Sequence, residues 1–396
     1  MMQNYFRYVV FFAIVVVTGC KKPYDPTVVS SPNSYLVVEG VINSGSDSTI
    51  IKLSRTVKLS DKVTSSRVLG ALVTVESDQN SSFPLTEIEN GDYISPGLNL
   101  DNTRKYRLRI KTSNEEYLSD FVAVVNSPSI DSINYTVGSN GVNIYTNTHD
   151  PKNNTHYYRW DYQETYIFHS NYYSLYKSNG DTVLLRDMVN DEIYRCWRSD
   201  TSSTIILGSS AKLKNDVIVN NPLTSVASTS EKFTEKYSIN VRQYALTGDA
   251  YAFWQNLKKN TEQLGSIFDA LPSNINGNIH STTNPLEPVI GYISVGSVAS
   301  QRIFISSNQL PLSFFPTRTD QCQLDSFYFV FHPPNNGPPI NQENIYFNYN
   351  KGATDPEIPV DAIVNAAGKI LGHSGADIEC VDCTLRGTNK QPAFWK

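Results

Sequence analysis

The chain has 396 residues, 40% of them hydrophobic and 18% charged, so it is long enough for more than one folding unit and too apolar for wholesale disorder. Lysine and arginine number 33 against 38 aspartate and glutamate, a net charge of −5. A nucleic-acid partner needs a basic surface that displaces counterions from phosphates, so this balance excludes that class.

The amino terminus carries an address. Arg7 precedes an apolar run from Tyr8 to Val17, about half the ~20 residues a membrane-spanning helix requires but the right length for a signal-peptide core. Val17-Thr18-Gly19-Cys20 resembles a bacterial lipobox, in which small residues admit a peptidase and the cysteine thiol takes diacylglycerol. The expectation is a leader over residues 1–19, a mature chain beginning at lipidated Cys20, and a tether over 20–34. Each buried methylene of such an anchor contributes roughly 0.8 kcal/mol, so several acyl chains hold a protein at a bilayer. Lys21 rather than aspartate follows Cys20, so inner-membrane retention of the enterobacterial type is not indicated. The face occupied, periplasmic or external, is left open.

Strand-like runs then alternate with turns: Leu36 to Ile42, Thr49 to Leu53, Ala71 to Ser77, Tyr93 to Ser95, Lys105 to Lys111 and Tyr117 to Val124. Arg107, Arg109 and Lys111 alternate with Tyr106, Leu108 and Ile110, the period of a sheet with one wet face. Asn90-Gly91 and Pro96-Gly97 provide turns. The fold class expected is mainly β, with an N-terminal β-sandwich over 35–126. Gly70 to Val75, Asn90 to Tyr93 and Tyr106 to Leu108 resemble the prealbumin-like or Ig-like sandwiches that begin many envelope proteins, modules without catalysis of their own.

Residues 127–396 are expected to form a larger β-rich domain with one prominent helix at about 247–264. Tyr157 to Phe168 reads as an aromatic strand and Tyr237 to Leu246 as another. Thr247 is placed to cap the helix and Asp249 to face its positive end, with Ala250, Phe253, Trp254, Leu257 and Leu264 at helical spacing. The stretch from Leu264 to Pro288 reads as a long ordered loop, followed by strands at Gly291 to Val295 and Gln301 to Ser306.

With Cys20 set aside, Cys196, Cys322, Cys380 and Cys383 remain, an even number that implies two disulfides in an exported protein with three possible connectivities. Cys196 and Cys322 are isolated, which disfavours a four-cysteine zinc site, and no metal or cofactor is expected. His149, His156, His169, His280, His332 and His373 form no ligand motif. Gly372-His373-Ser374-Gly375 imitates a nucleophile elbow, but no histidine follows Ser374, so the hydrolase order is impossible. Glu39 lies in an apolar run and is expected to face outward. The tyrosines at 157, 158, 162, 166, 172 and 173 suit sheet packing, with a stacking platform as the competing role. No catalytic residue emerges.

The run Arg242 to Thr247, the segment Ala250 to Glu262 and Gly265 to Asp269 resemble a Bacteroidota outer-membrane lipoprotein family known only as a domain of unknown function, DUF4249. Leu36 to Gly40, Leu53 to Thr56, Asn153 to Trp160, Asn284 to Tyr292 and Cys380 to Cys383 extend the resemblance over the mature chain. It implies a lipid-anchored accessory or ligand-binding partner of a TonB-dependent receptor, held to the outer membrane through Cys20. The alternatives are an enzyme acting on glycans or peptides, and a surface adhesin.

Overall fold

A computed structural model describes residues 34–57, 66–262, 277–314, 322–335 and 337–396. The leader, Cys20 and all of the tether except Ser34 lie outside the described residues. Residues 35–396 form one compact unit, 46% strand and 11% helix, so the protein is mainly β.

The first core is built by β1 (Leu36–Asn43), β2 (Thr49–Arg55), β3 (Ser66–Arg67), β4 (Leu72–Ser77), β5 (Ser82–Glu89), β6 (Asp92–Ser95), β7 (Lys105–Lys111), β8 (Glu116–Ser119) and β9 (Val122–Ala123). β7 behaves as its alternation dictates. Tyr106, Leu108 and Ile110 are buried, while Arg107 and Arg109 reach across to Glu76 of β4 at 2.8 and 2.6 Å. β5 is the strand that sequence reasoning passes over, since Pro84 cannot donate to a ladder. Its first half pairs with β4 and its second half with β6, the behaviour of a strand that passes between sheets. One hydrogen-bonded path therefore runs β8-β7-β4-β5-β6-β2-β1, with β3 and β9 attached to it through β2 and β7. Glu39 is exposed on β1, as its neighbours Val38 and Leu36 turn inward.

The second core begins with β10 (Ile130–Gly138), β11 (Gly141–His149) and β12 (Tyr157–His169). A two-stranded hairpin follows, β13 (Tyr176–Ser178) and β14 (Val183–Leu185), then β15 (Arg195–Thr201), β16 (Ile206–Ser209), β17 (Val217–Ala227) and β18 (Lys236–Ala245). β12 is the spine, paired with β18 on one side and with β15 and β16 on the other. Tyr158, Trp160, Tyr162, Tyr166 and Phe168 all point from it into one core, against Val142, Ile144, Ile239 and Val241. Buried Trp160 donates its indole N–H to Gln243 at 2.9 Å. Gln243 in turn donates to Pro128 O and Thr148 Oγ1 at 2.9 and 3.0 Å, so this polar cluster is satisfied. Gly208 lies so close to Trp160 that a Cβ there would sit 2.8 Å from the indole ring.

Helix α1 (Gly248–Glu262) starts where expected, with Thr247 Oγ1 accepting the Ala250 N–H at 3.2 Å. Ala250 and Phe253 are buried. The Arg159 guanidinium lies 4.5 Å from the Trp254 ring and 4.3 Å from the Tyr244 ring. Residues 263–276 fall outside the described residues.

The chain then does what the sequence did not indicate. Instead of a loop continuing to Pro288, β19 (Ile279–Ser281) joins β8, and β20 (Val289–Ile290) and β21 (Ser294–Gly296) pair in parallel with β1. Ile279, Val289, Ile293 and Val295 complete the first core, so the region after Asn126 supplies part of the N-terminal body. β22 (Val298–Ser306) then returns to β18. Among the described residues, no helix is long and apolar enough to cross a membrane.

β23 (Asp325–Tyr328), β24 (Ile358–Val364) and β25 (Ile370–Ala376) form a small sheet in the order β23-β25-β24. The four cysteines make two bridges, Cys196–Cys383 and Cys322–Cys380. Beside this sheet, burial and the charges of Asp325 and Asp377 push the Glu357 carboxyl up to about 7. A carboxyl raised on folding holds its proton more tightly in the native state, so stability falls as pH rises from its ordinary 4.5 through 7. Glu357→Gln is expected to raise unfolding free energy at pH 8 by on the order of 1–3 kcal/mol and to leave it unchanged at pH 4. Urea titrations at the two pH values check this.

Candidate functional site

The even-numbered positions of β12 are aromatic with one exception. Glu164 occupies the slot between Tyr162 and Tyr166, and its residue is only 4% exposed. Register places it directly opposite Asp200 of β15. Like charges facing each other across a ladder are destabilising, and a third residue resolves the conflict. The 3₁₀ turn Glu231–Phe233 is capped by Ser230, whose Oγ accepts the Lys232 N–H at 3.3 Å. It delivers Lys232 Nζ to Glu164 Oε2 and to within 3.9 Å of Asp200 Oδ2. Buried Tyr237 donates its hydroxyl to Glu164 Oε1 at 2.5 Å. Burial and then the nearby Glu164 charge push the Tyr237 phenol well above its ordinary value, which keeps it a donor.

This pair faces a cavity of about 330 Å³ lined by Tyr162, Glu164, Asp200, Thr224, Ser225 and Lys232. A second cavity of about 600 Å³ is lined by Trp197, Arg198, Asp200, Arg386, Thr388 and Pro392. Asp200 belongs to both. Its carboxylate accepts from Arg198 Nε at 3.3 Å, and Arg386 pairs with Glu231 at 3.0 Å. One turn therefore serves both cavities, with Lys232 at the first and Glu231 holding the arginine of the second.

The far wall of the second cavity is the segment from Leu385 to Pro392. Cys196–Cys383 staples its start to β15, and the Trp197 and Thr388 backbones exchange hydrogen bonds of 2.8 and 2.9 Å. Trp197 is 6% exposed, and its indole N–H has no partner among the described residues. Such a donor costs about 1–3 kcal/mol when left unmade.

The sequence-predicted candidates fall elsewhere or serve the fold. Cys196, Cys322, Cys380 and Cys383 are bridged. His373 is buried with its Nδ1 2.6 Å from Glu343 Oε1, and Ser374 Oγ is spent on the Asp361 backbone at 3.2 and 3.3 Å. Among the tyrosine clusters Tyr158 and Tyr166 pack in the core, and Tyr162 packs there too while lining the first cavity. Among the described residues, no group of three or more His, Cys, Asp or Glu is placed to hold a metal ion. Sequence reasoning missed Glu164, Asp200, Lys232 and Arg386. For Glu164 a signal existed, a lone acid in the inward register of an aromatic strand. Asp200, Lys232 and Arg386 are brought in by pairing and turn geometry.

The family model for DUF4249, a domain of unknown function, matches residues 21–302. The chain belongs to the DUF4249 family. The DUF4249 match contains Glu164, Asp200 and Lys232, whereas Arg386, Thr388 and three of the four bridged cysteines lie beyond it. No curated protein matches the chain. Chitinase ChiA74 from Bacillus thuringiensis is similar in structure at 15% identity, over 48% of this chain and 27% of that one, with a TM-score of 0.15. The likeness thus spans about a quarter of the chitinase, and a superposition this poor carries no argument about fold or function.

Proposed function

We propose that the protein is a lipid-anchored outer-membrane component, a non-enzymatic accessory of a TonB-dependent nutrient transporter that binds a polar ligand beside β15. The anchor follows from the apolar leader ending in Val17-Thr18-Gly19-Cys20. Two disulfides agree with an exported, oxidising location. The observation that carries ligand binding is the Glu164–Lys232 pair, with its carboxylate buried, lining a polar cavity, since burying a charge is expensive and an apolar residue there would serve stability better. Both Glu164 oxygens are engaged, one by Lys232 and one by Tyr237. That suits a fixed hydrogen-bonding wall more than a carboxyl that must exchange a proton with a substrate, and so favours binding over hydrolysis.

Cys20→Ala tests the anchor. The variant is expected to lose radiolabelled palmitate and to move from the membrane fraction to the soluble fraction, whereas the wild type stays with membranes. Continued membrane retention without label would remove the anchor from the proposal. The partnership is tested by mild-detergent pull-down of the tagged wild type, in which a TonB-dependent receptor should co-purify.

A further inference from the structure

We infer that the two cavities meeting at Asp200 are adjoining subsites for one neutral oligosaccharide chain. This rests on the ligand-binding reading above and names its ligand class. The walls decide the chemistry. Around the first cavity stand the hydroxyls of Thr201, Ser203, Thr224, Ser225 and Ser230, with little apolar surface, so an apolar ligand gains nothing there.

Each cation lining the cleft is already paired: Lys232 with Glu164, Arg198 with Asp200, and Arg386 with Glu231. A phosphate or carboxylate ligand would have to compete with a fixed protein carboxylate for every positive charge. Sugar hydroxyls need no free charge. They donate to the remaining lone pairs of carboxylates whose positions are held by those same ion pairs, and they accept from ammonium and guanidinium N–H groups.

The second cavity is lined in part by Trp197, whose buried indole N–H has no partner among the described residues. Asp200 lines both spaces, so the occupant inferred is a chain of linked rings passing this residue rather than a single ring.

The test is calorimetric titration of the detergent-solubilised full chain with maltotriose, cellotriose, mannotriose and xylotriose. Trigalacturonic acid, trialanine and inorganic phosphate serve as comparison ligands. At least one neutral trisaccharide is expected to bind, and more tightly than any comparison ligand. Asp200→Asn is expected to weaken it at least tenfold. Ser225→Trp and Thr388→Trp obstruct the first and second cavity from exposed positions. Each should weaken the trisaccharide at least tenfold with an unchanged circular dichroism spectrum. That pair keeps the test valid if Asp200→Asn does not fold.

Failure of all four trisaccharides at millimolar concentration, tighter binding of phosphate or trialanine, or full affinity in both tryptophan variants would overturn the inference. Loss of sugar binding with intact receptor co-purification removes only the ligand class. Sugar binding without co-purification removes the transporter partnership instead.

Discussion

Replacing Cys196 and Cys383 together with alanine is expected to lower unfolding free energy by about 4–5 kcal/mol at 25 °C. The bridge closes a loop with a sequence separation of 187 residues, which restricts the unfolded chain far more than it restricts the native one. Both sulfurs sit in the second core, with Cys196 fully buried and Cys383 nearly so, and their loss also removes packing there. The second bridge, Cys322–Cys380, spans 58 residues and lies inside the larger loop. Cutting both bridges therefore costs slightly more than the sum of the two single losses measured from the wild type, because each loop is entropically cheaper to close while the other bridge exists. Urea unfolding of the wild type, the two double variants and the quadruple variant measures all three quantities. Equal midpoints for the wild type and the Cys196/Cys383 variant would mean that the chain from Leu385 onward is held by the Trp197–Thr388 backbone hydrogen bonds and its side chains without help from the bridge. Trp395, packed against Trp197 and Ile167, is the residue on which such holding would centre.

How much of this was legible in the sequence depends on the range of the interaction concerned. β7 and β12 were readable because a sheet with one buried face imposes a period of two on its own residues. α1 was readable because its cap, acidic first turn and apolar stripe lie within one segment. The β5 strand was hidden by Pro84, which faces Thr74 of β4 shortly before the strand changes partner after Leu85. A strand near Gly291 to Val295 was legible, but the pairing of residues 279–296 with β1 and β8 was not. Short strands such as Val289–Ile290 owe their existence to partners from the other end of the chain. The cysteine count correctly implied two bridges, but the choice among three pairings is made by the tertiary fold. At the cleft, Glu164 left a signal that went unread, a charge among inward aromatics. Lys232 carries no local signal of its own, and only the capped turn brings its ammonium over the strand.

Lys232→Met is expected to destabilise the protein by about 3–5 kcal/mol, more than a surface ion pair commands, because it leaves Glu164 charged and buried without its cation. Lys232 is only 23% exposed at its side chain and Glu164 6%, so solvent does little to replace the lost partner. The nearby Asp200 carboxylate, facing Glu164 in register, then acts as an added like charge. Glu164→Gln alone keeps an acceptor for the Tyr237 hydroxyl and strands a lysine that still has Asp200 within 3.9 Å and can turn toward solvent, so its cost is expected to be smaller. The double variant Glu164→Gln/Lys232→Met should recover most of the loss, since removing both members of a buried pair is often neutral or stabilising. A four-corner urea cycle gives the coupling directly. Strong coupling, together with a double variant as stable as the wild type, would mean that the fold does not require this charge pair. The pair's retention in the lining of a polar cavity would then be explained by what the cavity holds rather than by what the strand needs.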